Sequence, residues 1–412
     1  MHTLPSRPAS FLQCILAAAP LVTACTGADV GEDAGDETAA TGIFIEPGSS
    51  SESGEGSDEV PMVPAQCDLQ GFGCPHVLHR PVMLVLDNSY SMRSERVGMW
   101  DHDRDDVDDD GRVDGNPKWS ATPRVTHWSS LHWQVKMVGD AFLHVLDLGV
   151  TLFPAFDPLQ DAESAACSVG ATPEIPFGAD WETMFLERKI PFRDDNVPGG
   201  AAPAAAAIDT ALVALTDRDA QLPGAIVLVT DGAANCGSEA DAHDERLPEV
   251  VAAARARGIP TFVIGIDIPT GVVTPLIDWF PDAVDGVDVR AALSALAEAG
   301  GTARRGEAKF FDATDEAALA DALFTIARQT IACTLEFQDP VDADKYAITH
   351  VEVWAGDLRT ETYGSQPVDN CAAESGWRFV EGDRTQVELC GEACTLFQAE
   401  GGAWFGISCI GA

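Results

Sequence analysis

Basic side chains are scarce in this chain: 25 Lys and Arg stand against 66 Asp and Glu in 412 residues, for a net charge of −41. A phosphate backbone is bound by clustered Lys and Arg, so nucleic acid is disfavoured as a partner, and cations or basic surfaces suit the charge better. Long apolar runs are also missing; the stretch from Phe11 to Val22 is too short to span a bilayer as a mature helix. Neither a His-Glu-x-x-His zinc motif nor a Gly-x-Ser-x-Gly nucleophile elbow occurs, which leaves catalysis without its commonest signatures. No fixed-period repeat is visible, which argues against a solenoid or a propeller.

What is present begins with a signal segment. His2 and Arg7 precede the Phe11 to Val22 run, which has the length of a signal-peptide core. Leu21-Val22-Thr23-Ala24-Cys25 resembles the lipobox of bacterial lipoproteins. That resemblance implies removal of residues 1–24, lipid on Cys25 and anchoring at the cell envelope, with Thr26 favouring the outer membrane. An ordinary signal peptide with an incidental cysteine is the alternative. Residues 25–66 follow as an acidic, Gly- and Ser-rich segment with ten acidic residues and no Lys or Arg between Thr26 and Gln66. Such a composition cannot bury enough apolar surface to offset its ordering entropy, so a disordered tether is expected, with Ile43-Phe44-Ile45 as a chance apolar triplet within it.

Of 11 cysteines, Cys14 leaves with the signal and Cys25 would carry lipid, so nine remain in the body. In an exported chain they read first as disulfides, with at least one left unpaired inside the chain. Cys390 and Cys394 lie four apart but lack a second Cys/His pair at zinc-finger spacing.

After a Cys-containing lead-in at 67–80, apolar runs of strand length alternate with helix-period segments from 81 to 330, the signature of a doubly wound α/β domain with a mostly parallel sheet. Strands are predicted at Val82–Leu86, Val150–Phe153, Ala225–Thr230, Thr261–Ile266 and Lys309–Phe311. Helices are predicted around Leu131–Val145, Ala204–Leu215, Glu249–Ala256 and Leu319–Ile326. An acidic insertion occupies 93–128. From 331 to 412 the texture turns to short alternating runs with no helical period, as expected of a small disulfide-rich β domain.

The strand at Val82–Leu86 runs straight into Asp87-Asn88-Ser89-Tyr90-Ser91, and Ala225–Thr230 runs into Asp231-Gly232. Ligands of open α/β sheets bind outside the C-terminal ends of the strands, and Asp87, Ser89, Ser91 and Asp231 offer only hard oxygens there. Oxygen donors favour Mg²⁺, Mn²⁺ or Ca²⁺ over zinc or copper. This constellation resembles the von Willebrand factor A domain and its metal-ion-dependent adhesion site, over about residues 80 to 330. The resemblance implies Mg²⁺ or Mn²⁺ held by Asp87, Ser89, Ser91 and Asp231, with a position left open for an acidic side chain of a protein partner. One element departs from the pattern: where related bacterial proteins carry Gly-Gly-Thr-Pro, this chain has Gly199-Gly200-Ala201-Ala202-Pro203, and alanine cannot coordinate. Thr210 lies about two turns further on and is a poor substitute.

Inside the insertion, Asp106, Asp108, Asp110, Gly111 and Asp114 form D-x-D-x-D-G-x-x-D, similar to calcium loops of EF-hands and thrombospondin type 3 repeats, with Arg112 offering its carbonyl. Pro117 replaces the bidentate Glu, so the segment reads either as a weak Ca²⁺ loop or as a solvated acidic loop. His76 and His79 read as ordinary histidines, and Trp100, Trp119, Trp128 and Trp133 as cover for the sheet edge or a contact patch. The function expected is a lipid-anchored, non-enzymatic binding or adhesion protein. A structural or assembly protein with a vestigial metal site is the alternative, and a metal-dependent phosphohydrolase a more remote one.

Overall fold

A computed structural model of the chain describes residues 41–45, 75–93, 100, 126–155, 166–187, 189–191, 200–217, 222–237, 242–272, 286–337, 340–341, 346–355, 359–380, 384–399 and 401–409, with only the backbone at 41–45. Strands β1 (Thr41–Ile45) and β2 (His76–Val77) come first. They are followed by β3 (Arg80–Asp87), β4 (Leu146–Phe153), β5 (Ala225–Thr230), β6 (Thr261–Ile266) and β7 (Phe311–Ala313). Interleaved helices are α1 (Tyr90–Arg93), α2 (His127–Phe142), α3 (Trp181–Leu186), α4 (Ala204–Thr216), α5 (Leu247–Ala256), α6 (Val289–Gly300) and α7 (Glu316–Thr330).

Strands β3 to β7 form a five-stranded parallel sheet in the order β4-β3-β5-β6-β7. The apolar runs are unbroken because both faces are covered, as parallel strands require. Side chains alternate between two cores. Val82, Leu84, Leu86, Val227 and Val229 face α2 and α7 on one side, whereas Met83, Val85, Ile226 and Leu228 face α4, α5 and α6 on the other. Helices α2, α6 and α7 begin on capping side chains: Thr126 accepts from Ser129 N, Asp288 from Ala291 N and Asp315 from Ala318 N. The α/β architecture expected from the alternation is therefore present. Strand β7 begins two residues later than predicted, at Phe311, where its pairing with β6 at Ile264 starts.

The C-terminal unit comprises β8 (Thr334–Glu336), β9 (Tyr346–Ala355), β10 (Arg359–Gly364), β11 (Gly376–Phe379), β12 (Gln386–Cys390), α8 (Glu392–Gln398) and β13 (Gly401–Cys409). Two antiparallel sheets result, ordered β1-β13-β9-β10 and β11-β12-β8-β2. Two expectations need correction here. Residues 331–412 do not make their sheets alone: β2 pairs with β8, and β1 pairs with β13 from Thr41↔Ile407 to Ile45↔Ala403. The Ile43-Phe44-Ile45 triplet is thus part of a strand rather than of a structureless linker. An edge strand presents unpaired amides and carbonyls, and an extended β-branched segment satisfies them wherever it lies in sequence. The unit also contains a helix. Two turns of α8 are too short to show a period, but they bury Ala393, Leu396 and Phe397.

Disulfides Cys333–Cys394 and Cys371–Cys390 staple this unit, and Cys167–Cys236 lies in the α/β domain. Cys390 and Cys394 therefore belong to two different bridges, not to a zinc site. Three disulfides among the described residues indicate an oxidising, extracytoplasmic compartment. No helix among the described residues is long and apolar enough to cross a membrane.

Candidate metal centre

Strand β3 ends in Asp87 and the chain turns at once into α1. The Ser89 amide closes the turn by donating to Asp87 Oδ1 at 2.8 Å, and the Tyr90 amide donates to the Gly200 carbonyl at 3.1 Å. The parallel register sets Leu86 beside Val229, so the residues that follow each strand meet at the same edge. There the Ser89 and Ser91 hydroxyls lie 2.9 Å apart, and Ser91 Oγ donates to Asp231 Oδ1 at 2.7 Å. Thr230 Oγ1 donates to Asp87 Oδ2 at 2.5 Å. Asp87, Ser89, Ser91 and Asp231, separated by up to 144 positions, thus enter one hydrogen-bonded group.

Asp87 and Ser89 are fully buried. Burial, and after it the like charge of Asp231, pushes the Asp87 carboxyl up to about 8, against the pull of hydrogen bonds from Ser89 and Thr230. Two carboxylates and two hydroxyls converging at a partly buried sheet edge make a donor set short of positive charge. A hard divalent cation supplies that charge and accepts oxygen donors, so the residues present fit Mg²⁺ or Mn²⁺.

The segment at Gly200-Ala201-Ala202 adjoins the group. Gly200 accepts from Tyr90, Ala201 N donates to Ala166 O, and Ala202 exchanges hydrogen bonds with Asn235 through its amide (2.5 Å to Oδ1) and its carbonyl (3.0 Å from N). Gly200 is needed for close approach, since a Cβ there would stand 2.9 Å from the Ala166 backbone. Ala201 is fully buried and brings no side-chain oxygen. Thr210 does not replace it; its hydroxyl donates to the Gly170 carbonyl at 3.0 Å. The Cys167–Cys236 bridge, with Cys236 at φ 68°, ties the segment after Asp231 to the turn whose Ala166 carbonyl holds the Ala201 amide.

Three residues at the centre escaped the sequence. Thr230 is read there as an ordinary strand residue. Asp267 follows β6 as Asp87 follows β3 and Asp231 follows β5, a threefold apolar-strand-to-Asp pattern that is legible in the sequence once aligned by strand ends. His127, the first residue of α2, carries no sequence signal at all. Its Nδ1 lies 3.3 Å from Asp231 Oδ2, and its Nε2 lies 3.8 Å from Asp267 Oδ2.

Asp106, Asp108, Asp110, Arg112 and Asp114 lie outside the described residues, as do Cys25 and Trp119. Trp100 and Trp128 are core residues, whereas Trp133 is exposed. His76 pairs with Glu336 at 3.4 Å. Cys371, Glu388 and Cys390 lie close together, but both sulfurs are joined in a disulfide and hold no metal.

No protein-family model and no curated protein matches the chain. Solved structures similar to it include the BatB protein of Bacteroides thetaiotaomicron, at 17% identity over 60% of this chain and 99% of that one, with a TM-score of 0.34. The pilus adhesin SpaC of Lactobacillus rhamnosus GG is 12% identical over 81% of this chain and 40% of its own, with a TM-score of 0.40. The manganese-loaded TRAP protein of Plasmodium vivax is 14% identical over 76% and 94%, with a TM-score of 0.33. At these identities and scores the likeness says nothing of ligand or activity.

Proposed function

We propose that this chain is a non-enzymatic cell-envelope protein that binds a protein partner through a divalent cation at the β3–β5 edge. The observation that carries the reading is the convergence of Asp87, Ser89, Ser91 and Asp231 in one group, with Asp87 buried against a second carboxylate. Ser89 and Ser91 would hold Mg²⁺ or Mn²⁺ through their hydroxyl oxygens, and Asp87 and Asp231 would balance its charge. Bound there, the cation offers a coordination position to an acidic side chain of the partner. Asp87 fixes the turn through the Ser89 amide, and Asp231 orients the Ser91 hydroxyl by accepting its proton in a hydrogen bond. No general base or nucleophile is required of any of these residues.

The oxidising compartment indicated by the disulfides agrees with export, and Cys25 would carry the lipid that anchors the chain to the outer membrane. The 106–114 aspartates would add a weak Ca²⁺ loop. A second reading, an assembly protein whose metal edge is vestigial, is favoured by one observation: buried Ala201 brings no oxygen where the family pattern has Thr.

Isothermal titration of the protein with Mg²⁺, Mn²⁺ and Ca²⁺, repeated on Asp87→Ala and on a variant with Asp106, Asp108, Asp110 and Asp114 replaced by Asn, separates the readings. Heat that disappears with Asp87→Ala is the expected result. Mg²⁺ and Mn²⁺ titrations identical in the protein and in Asp87→Ala would overturn the cation-bridged model in favour of the vestigial one.

A further inference from the structure

We propose that His127 is a positioning residue that couples Asp231 to Asp267 across the edges of β5 and β6, so that the cation affinity of the Asp87-Ser89-Ser91 loop is set partly by a residue outside it. The inference rests on the cation reading above and assigns to it a part that the motif does not contain.

The geometry is specific. His127 is 2% exposed and enters the edge from the N-terminus of α2, where the Thr126 cap holds the first turn. An ionised carboxylate can only accept a hydrogen bond, so the 3.3 Å contact with Asp231 Oδ2 calls for a hydrogen on Nδ1. Asp231 is thereby held at both oxygens, Oδ1 by Ser91 and Oδ2 by His127. Contacts at both oxygens restrain the carboxylate, and through it the Ser91 hydroxyl that donates to Oδ1.

The far side of the ring is equally defined. Nε2 is buried and has no hydrogen-bond partner among the described residues, yet it stands 3.8 Å from Asp267 Oδ2. Asp267 occupies a left-handed backbone conformation (φ 47°) that is rare outside glycine, with its amide donating to the Ala313 carbonyl at 2.8 Å. The Trp100 ring, 4.7 Å away and edge-on, closes the remaining side and is itself fixed by donation to Ser130 Oγ at 2.8 Å. An imidazole hydrogen-bonded to one carboxylate, 3.8 Å from a second and edge-on to an indole is arranged to orient, as partners of metal ligands do; loss of such a partner typically costs about 10–100-fold in metal affinity.

Mn²⁺ titration calorimetry on the full chain tests this, with His127→Phe, His127→Asn, Asp267→Asn and Asp87→Ala compared to the unmodified protein. His127→Phe is expected to weaken Mn²⁺ by about 10–100-fold. His127→Asn, whose amide N–H can replace Nδ1–H toward Asp231, is expected to recover most of that loss. Asp267→Asn should weaken binding by a smaller factor, and adding it to His127→Phe should weaken it no further, since the two act through one ring. A merely structural histidine would lower the melting temperature of both His127 variants and leave affinity without the Asn rescue. If Asp87→Ala abolishes binding while His127→Phe and Asp267→Asn bind as the unmodified protein does, the positioning role is refuted and the cation site stands. If the unmodified protein takes up no Mn²⁺, both fall. Should His127→Phe fail to fold, Asp267→Asn decides, because that side chain is 43% exposed and its replacement leaves the core intact.

Discussion

Replacing Asp87 by Asn separates the cost of a buried charge from its use. Asn keeps the shape and can still accept from the Ser89 amide, but it cannot ionise. In the folded chain the Asp87 carboxyl titrates at about 8, against 3.8 when free. A folded value raised above the unfolded one means that its contribution to stability is complete below 3.8 and is lost as pH rises toward 8. At pH 7 about three of those units have been crossed, which at about 1.36 kcal/mol each amounts to roughly 4 kcal/mol as an upper figure. Cation-free Asp87→Asn is therefore expected to resist urea better than the unmodified protein at pH 7, with the difference closing near pH 4. A cation works against that difference and narrows it. At about 100 times its dissociation constant it adds about 2.7 kcal/mol to the protein that binds it and nothing to one that does not. Urea denaturation followed by tryptophan fluorescence, in EDTA and in Mn²⁺ at several pH values, reads both effects. An Asn variant less stable than the unmodified protein in EDTA at pH 7 would show that the Asp87 charge is not a burden, and the electrostatic argument for a cation would collapse with it.

Three further outcomes follow from other parts of the structure. Cys167→Ala/Cys236→Ala opens a covalent loop with a sequence separation of 69 and is expected to cost about 4 kcal/mol by denaturant titration; a loss below about 1 kcal/mol would mean that the bridge does not constrain the unfolded chain. Glu174, half-buried and accepting from the Leu152 amide, is pushed up from 4.5 to about 7 by desolvation. Its contribution is present below 4.5 and lost as pH rises through 7, so Glu174→Gln should flatten that decline and gain up to roughly 3 kcal/mol above pH 7, as pH-dependent melting would show. Gly300→Ala places a Cβ 2.4 Å from the Thr261 carbonyl, so the helix must shift from the sheet; a loss of about 1–3 kcal/mol is expected despite alanine's better helix propensity, and a gain in melting temperature would contradict the close approach.

Much of the fold was legible because burial in a parallel sheet imposes long apolar runs. Ala225–Thr230 and Thr261–Ile266 match their predicted bounds, and Asp87 and Asp231 were visible as the residues where such runs end. What escaped was short or distant. Helix α6, with its stripe in Leu293 and Leu296, Asp288 cap and Gly301 stop, is not among the predicted helices. Helix α8 is too brief for a period, and β2 is only His76–Val77. A two-residue strand exists only because β8 supplies its hydrogen bonds.

By itself, the sequence determined the alternation of strands and helices, the oxygen-only chemistry of the Asp-x-Ser-x-Ser turn and the absence of a Thr at Ala201. These are local properties: residue type, spacing, and which face of an element is apolar. Only the tertiary structure decided that β3 lies between β4 and β5, which brings Asp231 onto Ser91 across 140 positions. It also decided that His127 arrives from α2 to stand between Asp231 and Asp267, and that β1 and β2 complete sheets at the opposite end of the chain. Periodicity records whether a residue is buried; which residues meet at a sheet edge depends on crossovers between distant segments, and no local pattern encodes those.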